Sequence, residues 1–146
     1  MSTSDSVREI ISNCLALRTR LVSRSISSIY EEAMVGHEVT IAQVNMLTAM
    51  ALLGPCAPGK IGEIIQLERS TVSRSLDLLM QKKLVEAVSS DAKGVREVCL
   101  THAGREKLEA VLPDWRAAQA KASQLLGTAG VQAVHEAAAS VWTSPI

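Results

Sequence analysis

Between residues 68 and 83 the chain carries hydrogen-bonding side chains at spacings that bring them together on one side of a helix. This polar set is Arg69, Ser70, Ser73, Arg74 and Asp77. An apolar stripe at helical spacing occupies another side and consists of Val72, Leu76, Leu79 and Met80. Guanidinium and hydroxyl groups are the donors that proteins use on base edges and phosphates. A helix with this division of faces is suited to a DNA major groove.

The segments on either side of this helix predict the elements that would position it. Residues 60–66 read as a short helix, and Leu67 anchors the turn between the two helices. Residues 84–90 and 96–101 read as two short strands, because Val98 and Leu100 alternate with more polar residues in the second. The tip at residues 91–95 carries a glycine for the turn and Lys93 for a partner. The pattern predicts a helix-turn-helix followed by a β-hairpin wing.

Four further helices are predicted around this unit. The first covers residues 7–35, and the second follows Thr40, whose hydroxyl and Gln43 form a capping-box pattern. The fifth begins near residue 102, contains Pro113 as an expected kink and ends at Gly127, and the last covers residues 129–142. The predicted fold is mainly α with a small antiparallel β-wing: a winged helix-turn-helix with six helices.

The terminal helices carry apolar stripes that a single winged unit does not cover. Pairing the termini of two chains would bury these stripes, so residues 1–36 and 102–146 are predicted to form the dimerisation region of a homodimer. Residues 37–101 are then the DNA-binding region. Both parts are expected to belong to one structural domain, because 146 residues is an ordinary size for a single domain.

The composition limits the kinds of core, partner and compartment that this chain can have. Aromatic residues make up only 2% of the chain, so the core is expected to be aliphatic. The net charge is zero, but residues 60–96 carry seven Lys and Arg against five Asp and Glu, which places a small positive excess on the candidate recognition unit. No membrane-length apolar run or signal-peptide layout is apparent, and three cysteines without C-x-x-C spacing predict reduced thiols, so a cytoplasmic protein is expected.

Motifs for other kinds of site do not appear. The three histidines are spaced too irregularly for a metal site, and the chain has neither a nucleophile elbow nor a phosphate-binding glycine loop. The expectation is a non-enzymatic protein without a metal or cofactor. A winged-helix module that binds protein instead of DNA stays open, although Arg69 and Arg74 on the front of the helix speak against it.

The segments IIQLERSTVSRSLDLLMQKKLVE and SSDAKGVREVCLTHAGRE resemble the MarR (multiple antibiotic resistance regulator) family of winged helix-turn-helix transcription factors, and the order of elements is similar over residues 8–142. The wing positions that match the family pattern are Asp91, Arg96, Leu100, Thr101 and Gly104. Lys93 replaces the usual tip arginine and Gly94 replaces a second aspartate. A lysine reaches a phosphate as a point charge without the arginine fork, so the expected wing contact is weaker than the family norm.

The resemblance implies a homodimeric transcriptional regulator, most simply a repressor, that binds a pseudo-palindromic operator in double-stranded DNA. It also implies release by a small aromatic or phenolic ligand held between the dimerising helices and the winged unit. Arg69 and Arg74 are expected to contact bases or phosphates, and Lys93 and Arg96 to contact backbone or minor groove. Ser70, Thr71 and Ser73 either contact the groove or satisfy amides at the helix start.

Cys14 indicates an alternative function, the sensing of peroxides or thiols. The string CLALRTRLVSR resembles the opening of the organic-peroxide-sensing branch of the same family. Such sensing needs a thiolate and, in that branch, tyrosines near the sulfur, whereas this chain has only Tyr30 and no cysteine after Cys99 to resolve a disulfide. The favoured interpretation is that Cys14 is a small buried core residue.

Overall fold

The computed structural model describes residues 2–88 and 96–142. Its elements within these ranges are α1 (Thr3–Asn13), α2 (Leu15–Met34), a 3₁₀ turn (Val35–His37), α3 (Ile41–Leu53), α4 (Pro58–Ile65), α5 (Arg69–Gln81), β1 (Val85–Val88), β2 (Glu97–Leu100) and α6 (His102–Val141). The prediction of a mainly helical winged fold with a two-stranded antiparallel sheet is confirmed. The predicted wing tip, residues 91–95, lies outside the described residues.

The prediction of one helix over residues 7–35 is wrong, because the helix is interrupted at Cys14. Helix α1 begins earlier, with Ser2 and Asp5 forming a capping box, and it ends at Asn13. Cys14 is extended, with φ −63° and ψ 107°, and it serves as the N-cap of α2. Arg18 Nη1 donates to the Ile11 carbonyl at 3.0 Å and so satisfies one acceptor that the break leaves without a helical partner.

Helix α3 lies at the centre of the core. The predicted capping box is present, with the Gln43 amide donating to Thr40 Oγ1 at 3.1 Å and the Thr40 amide donating to Gln43 Oε1 at 3.1 Å. Its buried apolar side chains are Val44, Met46, Leu47, Ala49 and Met50. One flank of α3 is not buried, since Thr48, Ala51 and Leu52 are exposed.

Helix α6 contains a break at Gly127, where the backbone adopts φ 69° and ψ 169°. The predicted end of one helix and start of another at this glycine is therefore confirmed, since a positive φ is accessible to glycine at little cost. The backbone angles at Pro113 stay helical, so this proline does not interrupt the helix as Gly127 does. Pro113 is exposed, as is Glu109 one turn earlier, so water can satisfy the carbonyl that a proline leaves unbonded. Within the described ranges, no helix is at once long and apolar enough to cross a membrane.

The wing is attached to the core through backbone bonds that extend beyond the hairpin. Strands β1 and β2 pair antiparallel, with Val85 opposite Leu100. The loop after α3 adds a bridge, since the Cys56 and Val98 amides donate to each other's carbonyls at 3.0 and 2.9 Å. Cys56 and Val98 are both buried, so the base of the wing is part of the core.

Candidate nucleic-acid interface

A tight turn sets the distance between α4 and α5. Helix α4 begins with Pro58 in its first turn and ends at Ile65, and the next residue, Gln66, reverses the chain with a φ of 54°. The Leu67 amide donates to the Gly62 carbonyl at 3.1 Å. A Cβ at Gly62 would lie 3.0 Å from the Leu67 carbonyl oxygen and 3.3 Å from Val72 Cγ2. The absence of a side chain at Gly62 therefore allows α5 to pack closely against α4.

Helix α5 has the two faces that its sequence predicts. Val72, Leu76 and Leu79 are at most 4% exposed and join the core. The opposite face is exposed and carries Arg69, Ser70, Ser73, Arg74 and Asp77. Thr71 is half-buried between the two faces. Burial of the apolar stripe holds the helix on the body of the protein and leaves its polar face presented to solvent.

The start of α5 lacks a side-chain cap. Glu68 occupies the N-cap position and makes no capping hydrogen bond, as expected for a residue that caps less well than Asp or Ser. The first amides of a helix are unsatisfied donors, and the positive end of the helix dipole favours an anion there. The first turn, with Arg69 and Ser70, thus combines donor groups of backbone and side chain on one exposed surface.

Arg96 is brought into the same groove as α5. A groove of about 950 Å³ runs between α4, the exposed face of α5 and the base of the wing, and it is lined in part by Arg69, Ser73 and Arg96. Ser70, Thr71 and Arg74 lie outside its lining, and Lys93 lies outside the described residues. We call this the recognition groove. The groove brings Arg69 and Ser73 of α5 together with Arg96 of the wing, which the sequence analysis predicts as separate contacts.

Acidic side chains also line the recognition groove. They are Glu63, Glu68 and Asp77. The described residues place no carboxylate within salt-bridge distance of Arg69 or Arg74, so both guanidinium groups keep their hydrogen-bonding capacity. The mixed charge lowers the general attraction for polyanions and leaves discrimination to individual side chains.

Known proteins share the sequence pattern and the fold of this region. Residues 37–94, from the end of α2 to the wing, match the model of the MarR family. A probable transcriptional regulator from Pseudomonas aeruginosa superposes with a TM-score of 0.80 at 19% identity, covering 90% of this chain and 98% of that one. This chain has the fold of the MarR family. The resemblance drawn from the helix and wing residues is confirmed.

Two further solved structures show the same MarR-family fold. BpsR from Bordetella bronchiseptica, studied for regulation of its DNA binding by 6-hydroxynicotinic acid, has a TM-score of 0.80 at 20% identity, covering 89% of this chain and 94% of that one. Wild-type MarR from E. coli, in its apo form, has a TM-score of 0.72 at 18% identity, covering 88% of this chain and 97% of that one. No curated protein sequence matches the chain.

A polar junction ties the winged unit to the long helices. His37 Nε2 lies 2.7 Å from Asp114 Oδ2 of α6, and Lys107 Nζ donates to the His37 carbonyl at 3.1 Å. Lys82, just after α5, donates to the Glu38 carbonyl. The turn at residues 37–38 therefore contacts both α6 and the end of α5.

Cys14 lies away from the core, contrary to the favoured interpretation of the sequence. Its side chain is half-buried, and Sγ accepts a hydrogen bond from the Leu17 amide at 3.4 Å. Sequence periodicity missed this position because the apolar stripe continues across the helix break.

The other two thiols sit at the base of the wing. Burial, followed by the nearby Glu97 and Cys99, raises the pKa of the Cys56 thiol and keeps it protonated and unreactive. Burial and Glu86 likewise raise the pKa of the Cys99 thiol. The described part of the chain contains no group of three potential metal ligands.

Proposed function

We propose that this protein is a homodimeric, non-enzymatic transcriptional regulator that represses its target genes in the cytoplasm and is released from DNA by a small molecule. The observation that carries the proposal is the exposed Arg and Ser face of α5, which is held by a buried stripe and borders the groove that contains Arg96. An apolar front would have favoured a protein partner instead. The observed polar front, with two arginines that have no carboxylate partner among the described residues, favours DNA.

The proposed contacts divide into two kinds. Arg69, Ser70, Ser73 and Arg74 would enter the major groove, with Thr71 at the edge of the contact, because recognition helices place their N-terminal residues on base edges. Arg96, together with Lys93 at the wing tip, would contact the sugar-phosphate backbone or the minor groove. The first set would supply sequence preference, and the second set would supply affinity that falls with salt.

The proposed dimer rests on apolar side chains that one chain leaves uncovered. Helix α1 has no buried residue. The exposed large apolar residues of the terminal helices are Val7, Ile10, Ile11, Leu15, Leu17, Leu21, Val22, Leu112, Leu125, Val134, Val141 and Trp142. Exposure of this many large apolar side chains is typical of an interaction surface. A second copy of the same helices would cover it, with residues 1–36 and 102–146 as the dimerisation region. The operator would then be an inverted repeat whose half-sites lie about 10 base pairs apart.

Replacement of Arg74 by alanine tests the recognition helix. We expect Arg74→Ala to lower operator affinity by about 1–3 kcal/mol, the scale of one lost arginine contact to a base. Thermal stability should be unchanged, because Arg74 is exposed and contributes nothing to the core. Operator fragments recovered by selection from genomic DNA provide the ligand, and fluorescence anisotropy provides the affinity.

The matched control for Arg74→Ala is Arg116→Ala, which removes another exposed arginine, this one from α6. Operator affinity should be the same in the control and in the wild type. Unchanged affinity in Arg74→Ala would remove this residue from the DNA contact. An equal loss in both variants would show that only net charge matters and would contradict base recognition by α5.

A specific observation also favours a second function, thiol-based sensing through Cys14. The half-buried sulfur sits at a helix start, accepts a hydrogen bond from the Leu17 amide at 3.4 Å and is partly accessible to an oxidant. Against it, Tyr30 is 16 residues along α2, roughly 24 Å away at the rise of an α-helix. Its hydroxyl is bonded to Gln119.

Cys14→Ser separates sensing from a structural role. Serine is a preferred N-cap residue, so Cys14→Ser should keep the melting temperature or raise it slightly. The gain should correspond to at most about 1 kcal/mol in the free energy of unfolding. A sensor would lose its release from DNA by an organic hydroperoxide, and a purely structural Cys14 would give identical DNA binding curves for both proteins. We expect identical curves, since the tyrosine that would support the sulfur is distant.

A further inference from the structure

Asp77 is a residue on the exposed face of α5 that the proposed arginine and serine contacts do not use. It follows Ser73 by one helical turn and Arg74 by three residues. Its side chain is exposed and lines the recognition groove together with Arg69, Ser73 and Arg96. A carboxylate has only acceptor oxygens, whereas the arginines and serines around it donate hydrogen bonds. Asp77 therefore brings a different chemistry to the same surface.

The helix that carries Asp77 determines what its carboxylate meets. In a helix-turn-helix unit the first helix crosses the DNA backbone and the second enters the major groove. Glu63, on α4, would face the backbone, and its carboxylate lies 3.5 Å from Lys60 Nζ. Asp77, on α5, would enter the groove with the arginines. Because phosphates repel a carboxylate, only a hydrogen-bond donor on a base edge makes a contact at this position favourable.

The major groove offers two such donors, the amino groups at N4 of cytosine and at N6 of adenine. On adenine the amino group lies beside N7, an acceptor that would face the second oxygen of a carboxylate. Cytosine carries no acceptor beside N4 on its own groove edge. Guanine and thymine present only acceptors and a methyl group there, so both would be rejected. The chemistry of a carboxylate therefore selects cytosine.

Arg74 supplies the complementary donor. Residues three apart in an α-helix are separated by about 4.5 Å along the helix axis, and successive bases of one strand are separated by about 3.4 Å. Arg74 and Asp77 are thus spaced to address neighbouring base pairs, with the arginine on a guanine and the carboxylate on a cytosine. A site in which guanine and cytosine are exchanged would present the wrong partner to both side chains.

We propose that Asp77 is a specificity-determining residue, which accepts a hydrogen bond from N4 of one cytosine in each operator half-site and repels sites that present another base there. This inference rests on the proposed DNA-binding function. An unfavourable contact with wrong sites is an effective source of discrimination. Asp77 should therefore weaken binding to random DNA and sharpen the preference for the operator.

Asp77→Asn and Glu63→Gln form a matched pair of variants. Each removes one negative charge from the lining of the recognition groove, but only Asp77 lies on α5. Operators are selected from a random double-stranded library with the wild type. Fluorescence anisotropy then gives the affinity of each protein for the operator, for every single-base-pair substitution of it and for random-sequence DNA.

Both variants should bind random-sequence DNA about two- to five-fold more tightly than the wild type, because each removes one charge that repels phosphates. The wild type should prefer cytosine about five-fold or more at one position of each half-site. Asparagine donates as well as accepts, so Asp77→Asn should lose this preference. Glu63→Gln should keep it.

Removal of the amino group from the DNA tests the hydrogen bond itself. 2-Pyrimidinone is cytosine without its N4 amino group, and it still pairs with guanine. In place of the selected cytosine it should lower wild-type affinity about five-fold, the scale of one lost hydrogen bond to a charged group. The same replacement should leave the affinity of Asp77→Ala unchanged, since the two changes remove the same contact. Coupling of Asp77 to an adenine, tested with purine as adenine without its amino group, would contradict the selection of cytosine.

The other outcomes are equally decisive. A uniform gain of affinity in both variants with unchanged base preference would show that Asp77 is only a solvated charge. A uniform loss in Asp77→Asn would assign it to holding the wing near Arg96. Either result would overturn the inference. A wild type that selects no sequence from the library would instead contradict the proposed DNA-binding function.

Discussion

Replacement of Gly104 by alanine is expected to destabilise the protein by about 2–4 kcal/mol, the upper range for inserting a group into a packed site. A Cβ at this position would lie 2.2 Å from the Leu84 carbonyl oxygen and 3.1 Å from Leu100 Cδ2. The Leu84 carbonyl also accepts the Thr101 amide at 3.1 Å, so relief of the clash would break the bond that joins the wing to α6. Thermal denaturation at fixed protein concentration measures the loss, because dimer stability depends on concentration.

Gly59→Ala is the control for this prediction. Gly59 lies in the first turn of α4, and a Cβ there meets nothing within 4 Å. Alanine has the higher helix propensity, so Gly59→Ala should leave the melting temperature unchanged or raise it by the equivalent of about 0.5–1 kcal/mol. A Gly104→Ala protein as stable as Gly59→Ala would show that the close approach of α6 to residue 84 does not exist in solution.

The second large effect is expected from Ile11→Glu. Ile11 is 60% exposed in the single chain and lies beside Val7, Ile10 and Leu15 on the uncovered face of α1 and the start of α2. Removing a buried isoleucine costs roughly 1.5–3 kcal/mol, and a two-fold dimer loses this contribution twice. The dimer dissociation constant should therefore rise by about two to four orders of magnitude. Sedimentation equilibrium measures it, and tight binding to an inverted repeat should be lost in parallel.

Ser12→Glu adds the same charge one residue further along α1, on the side that carries Arg8. Its dimer dissociation constant should stay within about three-fold of the wild type, which corresponds to less than 1 kcal/mol. The fold of the monomer should survive in both variants, since α1 contributes no buried residue to the core. A stable Ile11→Glu dimer would exclude this face of α1 from the interface and contradict the proposed mode of dimerisation.

Local patterns were sufficient wherever the structure depends on neighbouring residues. The two faces of α5, the Thr40–Gln43 capping box and the α6 break at Gly127 all follow from periodicity, side-chain capping or backbone freedom within a few residues. The break at Cys14 is also local, but the apolar period of the first helix runs through it. Periodicity indicates which face of a helix a residue occupies. It does not reveal a single extended residue when the helices on either side keep the same apolar period.

The remaining features depend on residues that the fold brings together from distant parts of the chain. The bridge between Cys56 and Val98 joins segments 42 residues apart. The bond from Trp142 to Ile64 joins segments 78 residues apart. Neither contact has a sequence pattern, because a backbone carbonyl can accept from a distant donor whatever side chain its own residue carries. The sequence by itself determined the winged-helix class and the polar face of α5, since both are encoded by local spacing. Only the tertiary structure decided that Arg96 lines the same groove as Arg69 and that Gly104 must lack a side chain. These depend on how helices pack against one another, and packing is set by the shapes of surfaces that meet only in the folded chain.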